Sequence, residues 1–353
     1  MMRKTTLRFS ALLLVSLTLF LVLSDQQREP RTIEDVVEVF RQAHMIPGAV
    51  VAYGVSGSEP TIAAFGVSDP LRNTPMSPDQ PFRLASVTKV IAAKAILNAE
   101  GHNEIDLDTP IAEQIDLPSP RDPRSLSITP RHLLAHRGGM DSKLSYDPLF
   151  APDRLGLDRS ASCAEIARTA WEKMMLDHAP GTNTAYSNVG FCLLSGFLIT
   201  DHRADLTPIL QDVADVRIEG PVTPNWKHNG TSWIRVQNDA EAEGWFSGLG
   251  IAGGAIANAE AVWSFVSAHE PDRGIEAPLA GETDFYALGW HVWTHPEGYH
   301  LTHWGGVEGI FTVVVRFADG EAIVMLFNAS PADRPSAFNY LHQQLLRLNS
   351  LKT

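Results

Sequence analysis

The chain has 353 residues with 41 acidic and 28 basic side chains, a formal net charge of −13, and is 44% apolar and 20% charged. That make-up excludes a disordered tail or fibrous repeat and leaves room for one large domain or two lobes. The acidic balance argues against a nucleic-acid partner, because phosphate binding needs a basic face. Cys163 and Cys192 are too few for a disulfide-dense scaffold or a four-thiolate zinc site.

Arg3, Lys4 and Arg8 precede an apolar run, Ala11 to Leu23, broken only by Ser16 and Thr18. The run is shorter than the ~20 residues a spanning helix needs. Residues 1–24 are therefore expected to be a secretory signal, with an uncleaved anchor as the alternative, and the protein to be exported, periplasmic or secreted. No cysteine follows the run, which argues against a lipid anchor. An oxidising compartment permits a Cys163–Cys192 disulfide; two buried free thiols are an equally good reading.

Ile33, Val36, Val37 and Phe40 give residues 32–44 helical spacing, ended by Pro47-Gly48. Ala49–Val55 and Thr61–Val67 read as strands of a hairpin, and residues 69–81, with four prolines, as a loop. A helix is expected from Ser86 through Val90, Ile91, Ala95 and Ile96 to Ala99. Residues 103–225 are proline-rich, with helices at Arg131–Ala135, Cys163–Met175 and Val189–Ile199. Trp226–Gln237 reads as a strand and Ala259–Ala268 as a helix. Strands follow at Leu288–Thr294, Tyr299–His303, Phe311–Phe317 and Ala322–Phe327, then a helix at 335–348. The order predicts an α+β fold: an antiparallel sheet built from both chain ends and flanked by helices, within a domain at 30–348. A mostly helical lobe, 103–225, is inserted.

Three short motifs carry chemistry. In Ser86-Val87-Thr88-Lys89 the lysine lies one helical turn from the serine, and a buried lysine can lose its proton and act as the base that a serine nucleophile needs. The bland reading is a serine at a helix start and a solvated lysine. In Tyr186-Ser187-Asn188 the tyrosine could pass protons and the asparagine hold a substrate amide; otherwise the tyrosine packs and Asn188 caps a helix. In His303-Trp304-Gly305-Gly306, at a strand end, the glycines would let a substrate approach the backbone. An N–H there would complete an oxyanion hole with that of Ser86; the bland reading is a turn.

Taken in order, these motifs resemble the serine β-lactamase and penicillin-recognising enzyme family, in its class C and DD-peptidase-like branch. The resemblance runs from about 30 to 345. It includes Phe82 to Lys89, Ile128 to Met140, Pro180-Gly181, Tyr186 to Asn188, Ala252-Gly253-Gly254, Leu288-Gly289-Trp290, His303 to Gly306 and Asn328. It implies a β-lactamase/transpeptidase-like fold, with Ser86 as the acylated nucleophile and Lys89 and Tyr186 as the acid–base pair. Asn188 and His303 would contact substrate, and the N–H groups of Ser86 and Gly306 would form the oxyanion hole. Two departures stand out. His303 replaces the third-motif lysine, so any grip on a substrate carboxylate depends on its protonation. Trp304 replaces Thr or Ser and is expected to narrow or reshape the cleft. The segment 200–230 also lacks the family's Pro-Leu-Gly-Met stretch.

The expectation is an exported serine hydrolase working through an acyl-Ser86 on a small amide or ester, of DD-peptidase, D-amino-acid peptidase, esterase or β-lactamase type. The alternative is a catalytically silent binding or regulatory module. No metal or organic cofactor is implied. The partner is a small-molecule or peptide substrate, with membrane contact only through an uncleaved N-terminus. His291, His295, His300 and His303 invite a zinc reading, which is disfavoured because His300 and His303 fall on opposite strand faces and no Glu or Asp completes a ligand motif nearby. His132 and His136 are read as structural. Trp226, Trp233, Trp245, Trp290, Trp293 and Trp304 are read as core and cleft walls. A Gly-x-Ser-x-Gly elbow is missing, which argues against an α/β-hydrolase.

Overall fold

Strands from the two ends of the chain meet in the middle of one sheet. The computed structural model describes residues 29–198, 206–236, 240–270, 275, 278–296 and 298–352. The expected signal segment, residues 1–24, lies outside them.

Helix α1 (Ile33–Ala43) starts at a capping box in which Thr32 and Asp35 bond each other's backbone amides. Then come β1 (Gly48–Val55), β2 (Thr61–Asp69), β3 (Thr74–Pro75) and β4 (Phe82–Arg83). A 3-10 turn, Ala85–Val87, leads into α2 (Thr88–Gly101). Among the described residues no strand occurs between Arg83 and Asn225. That stretch holds α3 (Pro130–Leu134), α4 (Cys163–Lys173) and α5 (Asn188–Leu193), among other short helices. The chain continues through β5 (Asn225–His228), β6 (Trp233–Val236), α6 (Gly250–Gly253), β7 (Ile256–Ala257) and α7 (Ala259–Ser267). It ends with β8 (Asp284–Ala287), β9 (Trp290–His295), β10 (Gly298–Val307), β11 (Ile310–Arg316), β12 (Glu321–Phe327) and α8 (Arg334–Ser350).

The main sheet has the order β3-β2-β1-β12-β11-β10-β9-β8, antiparallel throughout. Its central strands are buried along their whole length, and side-chain alternation explains why. Val50, Ala52, Val324 and Leu326 face the cluster that contains α2 and α7. Ala49, Val51, Met325 and Phe327 face a second cluster with α1 and α8. Both faces are covered, so the strands read as unbroken apolar runs. Fully buried Asn328 ties the sheet's first strands together: its side chain accepts from the Gly48 amide at 2.8 Å and donates to the Val67 carbonyl at 3.1 Å.

Several expected elements differ. Trp226–Gln237 is a hairpin, β5 and β6, turned at Asn229–Ser232, and Gln237 lies outside the described residues. Leu288 and Gly289 form the turn between β8 and β9 rather than a strand start. Both adopt positive φ, 49° and 87°, and a Cβ on Gly289 would come within 2.5 Å of the Ala93 Cβ. β10 runs four residues past His303, so Trp304, Gly305 and Gly306 lie inside a strand, not at its end. The 69–81 loop contains β3. The expected helix Val189–Ile199 is instead α5 followed by Ser195–Leu198, with Ile199 outside the described residues. Cys163 and Cys192 form a disulfide, which settles the choice against free thiols. The tryptophans are packed: Trp226 and Trp290 are buried, while Trp233, Trp293 and Trp304 lean on the α1–α8 cluster and Trp245 on the other.

Phe40 of α1 stacks on Phe311 of the sheet and on Tyr340 of α8 and meets Phe327 of the sheet at a tilt. Truncating a fully buried phenylalanine removes its transfer energy and leaves a cavity. Phe40→Ala is expected to lower unfolding free energy by about 3–5 kcal/mol in urea denaturation. Leu71→Ala, at a residue 65% exposed, should change it by less than about 0.5 kcal/mol.

Candidate active site

Ser86 sits in a turn clamped from three sides. The Leu84 amide donates to the Ala255 carbonyl at 2.8 Å, and the Thr312 hydroxyl of β11 donates to the Leu84 carbonyl at 2.8 Å. The Ala255 amide donates to the Thr88 hydroxyl at 3.1 Å. Between Leu84 and Ser86, Ala85 is held at φ 45°, a strained value for a residue with a Cβ. The strain persists because the clamps over-determine the turn. Gly305 of β10 lies under it: a Cβ there would fall 2.4 Å from the Leu84 carbonyl oxygen and 2.7 Å from the Ser86 amide nitrogen. The glycine in the third motif is therefore a packing requirement of the first.

Lys89 is fully buried in the first turn of α2. Its Nζ lies 3.3 Å from Ser86 Oγ and 2.7 Å from Asn188 Oδ1, and also donates to the Ala252 carbonyl of α6. The amine stands 5.1 Å from the centre of the Tyr186 ring. Burial pulls it down from 10.5 to about 7, against the opposing attraction of Asp147. The bland reading of Lys89 as a solvated side chain is excluded.

Asp147 is a residue the sequence reading missed. Its carboxylate accepts from Asn188 Nδ2 and from the Leu149 amide at 3.0 Å. Burial raises its carboxyl above the ordinary value, opposed by the Asn188 bond, the Leu149 amide and Lys89. A single Asp in a proline-rich loop carries no spacing signal. Only its bond to Asn188 fixes the Asn188 amide, oxygen toward Lys89 and nitrogen toward Asp147. The cap of α5 is Ser187, whose hydroxyl accepts from the Gly190 amide at 3.0 Å, so Asn188 is free for this role.

The Tyr186 hydroxyl is buried with no well-formed hydrogen bond. Burial and then Tyr286 raise its pKa well above the ordinary phenol value, with the nearby Ser86 hydroxyl acting the other way. Tyr186 is thus a neutral phenol. Three rings frame it: His136 at 4.3 Å, Tyr286 at 5.7 Å and His303 at 6.3 Å between centres. His136 lies beyond the end of α3 at φ 53°, not on the helix with His132. Its Nδ1 accepts from the Ser187 amide at 3.2 Å, so the second-motif backbone leans on it. His136 and Tyr286 were also not singled out from sequence as site residues.

His303 does not replace a lysine's charge. The ring is buried, and burial followed by the nearness of Lys89 pulls it down to about 3. Its Nδ1 lies 3.0 Å from the Trp304 carbonyl, which can only accept, so Nδ1 carries the proton and Nε2 keeps a lone pair. Nε2 is buried without a partner. Trp304 takes the opposite face of the strand, its ring stacked 6.3 Å from Phe338 of α8, and it does not narrow the space near Ser86. Gly306 likewise abuts Arg334 of α8, at 2.6 Å from the Arg334 Cδ to where a Cβ would be. Pairing of β10 to β9 stops at Thr302, so among the described residues one edge of β10 from His303 to Val307 has no neighbouring strand. Of the remaining histidines, His295 and His300 touch, with 4.3 Å between ring centres. His291 pairs with Asp284 at 2.7 Å, and His300 packs against His295 and Phe317.

Comparison with known proteins gives the family of one part of the chain and the fold of the whole. Residues 33–205 match the Beta-lactamase family. The "Probable fimbrial assembly protein FimD, serogroup H1" of Dichelobacter nodosus is 34% identical over 147 residues, 41% of this chain and 36% of that protein. Esterase EstB of Burkholderia gladioli is 32% identical over 160 residues, 42% of this chain and 40% of its own. The chain thus spans well under half the length of the curated relatives it matches. D-amino acid amidase from Ochrobactrum anthropi SV3 shares the fold, with TM-score 0.70 and 19% identity over 91% of this chain and 98% of the amidase. With the three motifs gathered around one buried lysine, the chain has the β-lactamase/transpeptidase-like fold, and its residues 33–205 form a Beta-lactamase family domain.

Proposed function

We propose that the protein is an exported serine hydrolase that works through an acyl-Ser86 intermediate on a small amide or ester. The observation that carries this is the buried Lys89 amine, pulled to about 7 and 3.3 Å from the Ser86 hydroxyl. A neutral amine there accepts the Ser86 proton as Oγ attacks the substrate carbonyl. The Ser86 and Gly306 amides receive the oxyanion. Tyr186, a neutral phenol, donates its proton to the leaving group and is reprotonated from the Lys89 ammonium. Water then attacks the ester by the reverse route and frees Ser86.

The neutral His303 narrows the substrate class. A buried imidazole without charge gives a carboxylate no ion pair, and a carboxylate brought beside it stays undercompensated. The substrates are therefore amides or esters without a carboxylate next to the scissile bond, which favours the esterase and amidase branches over lactamase or DD-peptidase action. The disulfide and the Arg3-to-Leu23 segment support export. The second reading, a silent module, draws on the fimbrial assembly name of one relative. An intact Ser86–Lys89–Tyr186 set weighs against it.

Incubation with a fluorophosphonate followed by intact-protein mass spectrometry tests the nucleophile. A single adduct is expected on the protein and none on Ser86→Ala; equal labelling of both, or of neither, would sink the mechanism. Because the base must be neutral, the labelling rate should rise with pH around a midpoint of about 7. A flat profile from pH 5 to 9 would remove Lys89 from the role. In steady-state assays an uncharged aryl ester should exceed its carboxylate-bearing analogue in kcat/KM by about 100-fold.

A further inference from the structure

The disulfide lies beneath the groups that hold Lys89. It closes a sequence separation of 29 residues, within which Tyr186, Ser187 and Asn188 all fall. Cys163 opens α4, and Cys192 sits on α5 one turn beyond Asn188. Both are buried. Gly250, the first residue of α6, rests on the bond: a Cβ there would lie 3.3 Å from the Cys163 Cβ and 3.8 Å from its Sγ. Helix α5 supplies Asn188 Oδ1 to the Lys89 amine, and α6 supplies the Ala252 carbonyl. Both helices are far too short to be stable alone, so their position comes from what they are fastened to.

We propose that the Cys163–Cys192 disulfide is a positioning element for the Lys89 amine. It fixes α5 and α6 so that Asn188 and Ala252 grip Nζ beside Ser86, and acylation is fast in the oxidised protein and slow in the reduced one. The proposal rests on the Ser86–Lys89 reading given above. The bond forms by thiol–disulfide exchange with an oxidised dithiol donor, which takes up two electrons and two protons as the two thiols join. Dithiothreitol reverses it, leaving two thiols and the cyclic disulfide of the reagent. A chain made in a reducing compartment would then stay slow until it reaches an oxidising one.

The test compares fluorophosphonate labelling of the full chain in three forms: oxidised, reduced by dithiothreitol, and the double variant Cys163→Ala/Cys192→Ala. Far-ultraviolet circular dichroism checks that each is folded. Loosening α5 and α6 admits water to the amine and returns it toward its solution behaviour. The reduced and variant proteins should therefore label at least about 10-fold more slowly at pH 7, with the pH midpoint moved upward by more than about 0.5. Unchanged rate and midpoint in either folded form would overturn the proposal. If the variant does not fold, the reduced parent decides. Loss of its circular dichroism signal on reduction would make the bond a general staple and also overturn the positioning role. An oxidised protein that takes no label would refute the Ser86–Lys89 reading instead, and this proposal with it.

Discussion

A lysine amine kept out of water is the constraint around which the rest of this molecule is arranged. Lowering Lys89 from 10.5 to about 7 destabilises the fold by roughly 5 kcal/mol at neutral pH, comparable to the net stability of many domains. The fold tolerates this because the amine keeps three hydrogen-bonding neighbours, Ser86, Asn188 and Ala252. They come from separate parts of the chain. Asn188 is fixed by Asp147, Ala252 belongs to a four-residue helix beside the disulfide, and Ser86 is held in a strained turn on β10 and β11. The penalty is fully present below pH 7 and fades as the pH rises from 7 toward 10.5, where the unfolded lysine also sheds its proton.

The same burial sets the character of the surrounding groups. His136, His303 and Tyr186 are all driven toward their uncharged forms by desolvation first. Three rings that could in principle carry charge therefore act as a neutral, close-packed frame. His303 is the instructive case. Its place on β10 is where the resemblance calls for a cation, yet burial and then the proximity of Lys89 leave it neutral, against the opposing pull of the Trp304 carbonyl. Under the proposed function, substrate choice follows from an absent charge as much as from shape.

Much of this was legible in the sequence, for a physical reason. Central strands covered on both faces leave continuous apolar runs, so β1, β11 and β12 could be read directly, and with them a sheet shared by the two chain ends. The Ser86–Lys89 spacing carried its own geometry, since residues three apart share a helix face. What escaped reading depended on distant partners. Asp147 acts through Asn188, 41 positions away, and on the Lys89 amine, 58 positions away, and His136 through the Ser187 amide. Tyr286 reaches Tyr186 from β8, 100 positions further along the chain. The Leu288-Gly289 turn was taken for strand because the apolar pattern continues through it, and only the approach of α2 at Ala93 requires the glycine. Trp304 was placed in the cleft from its position next to His303, but strand alternation puts it on the far face.

The central claim is that Lys89 is a neutral base near pH 7. It is tested most directly by nuclear magnetic resonance titration of the protein labelled with carbon-13 at the lysine Cε, with Lys89→Met used to assign the signal. The account predicts one lysine titrating near 7, absent from the variant, while the others titrate near their solution values. A Lys89 signal that remains protonated to pH 9.5 would contradict it.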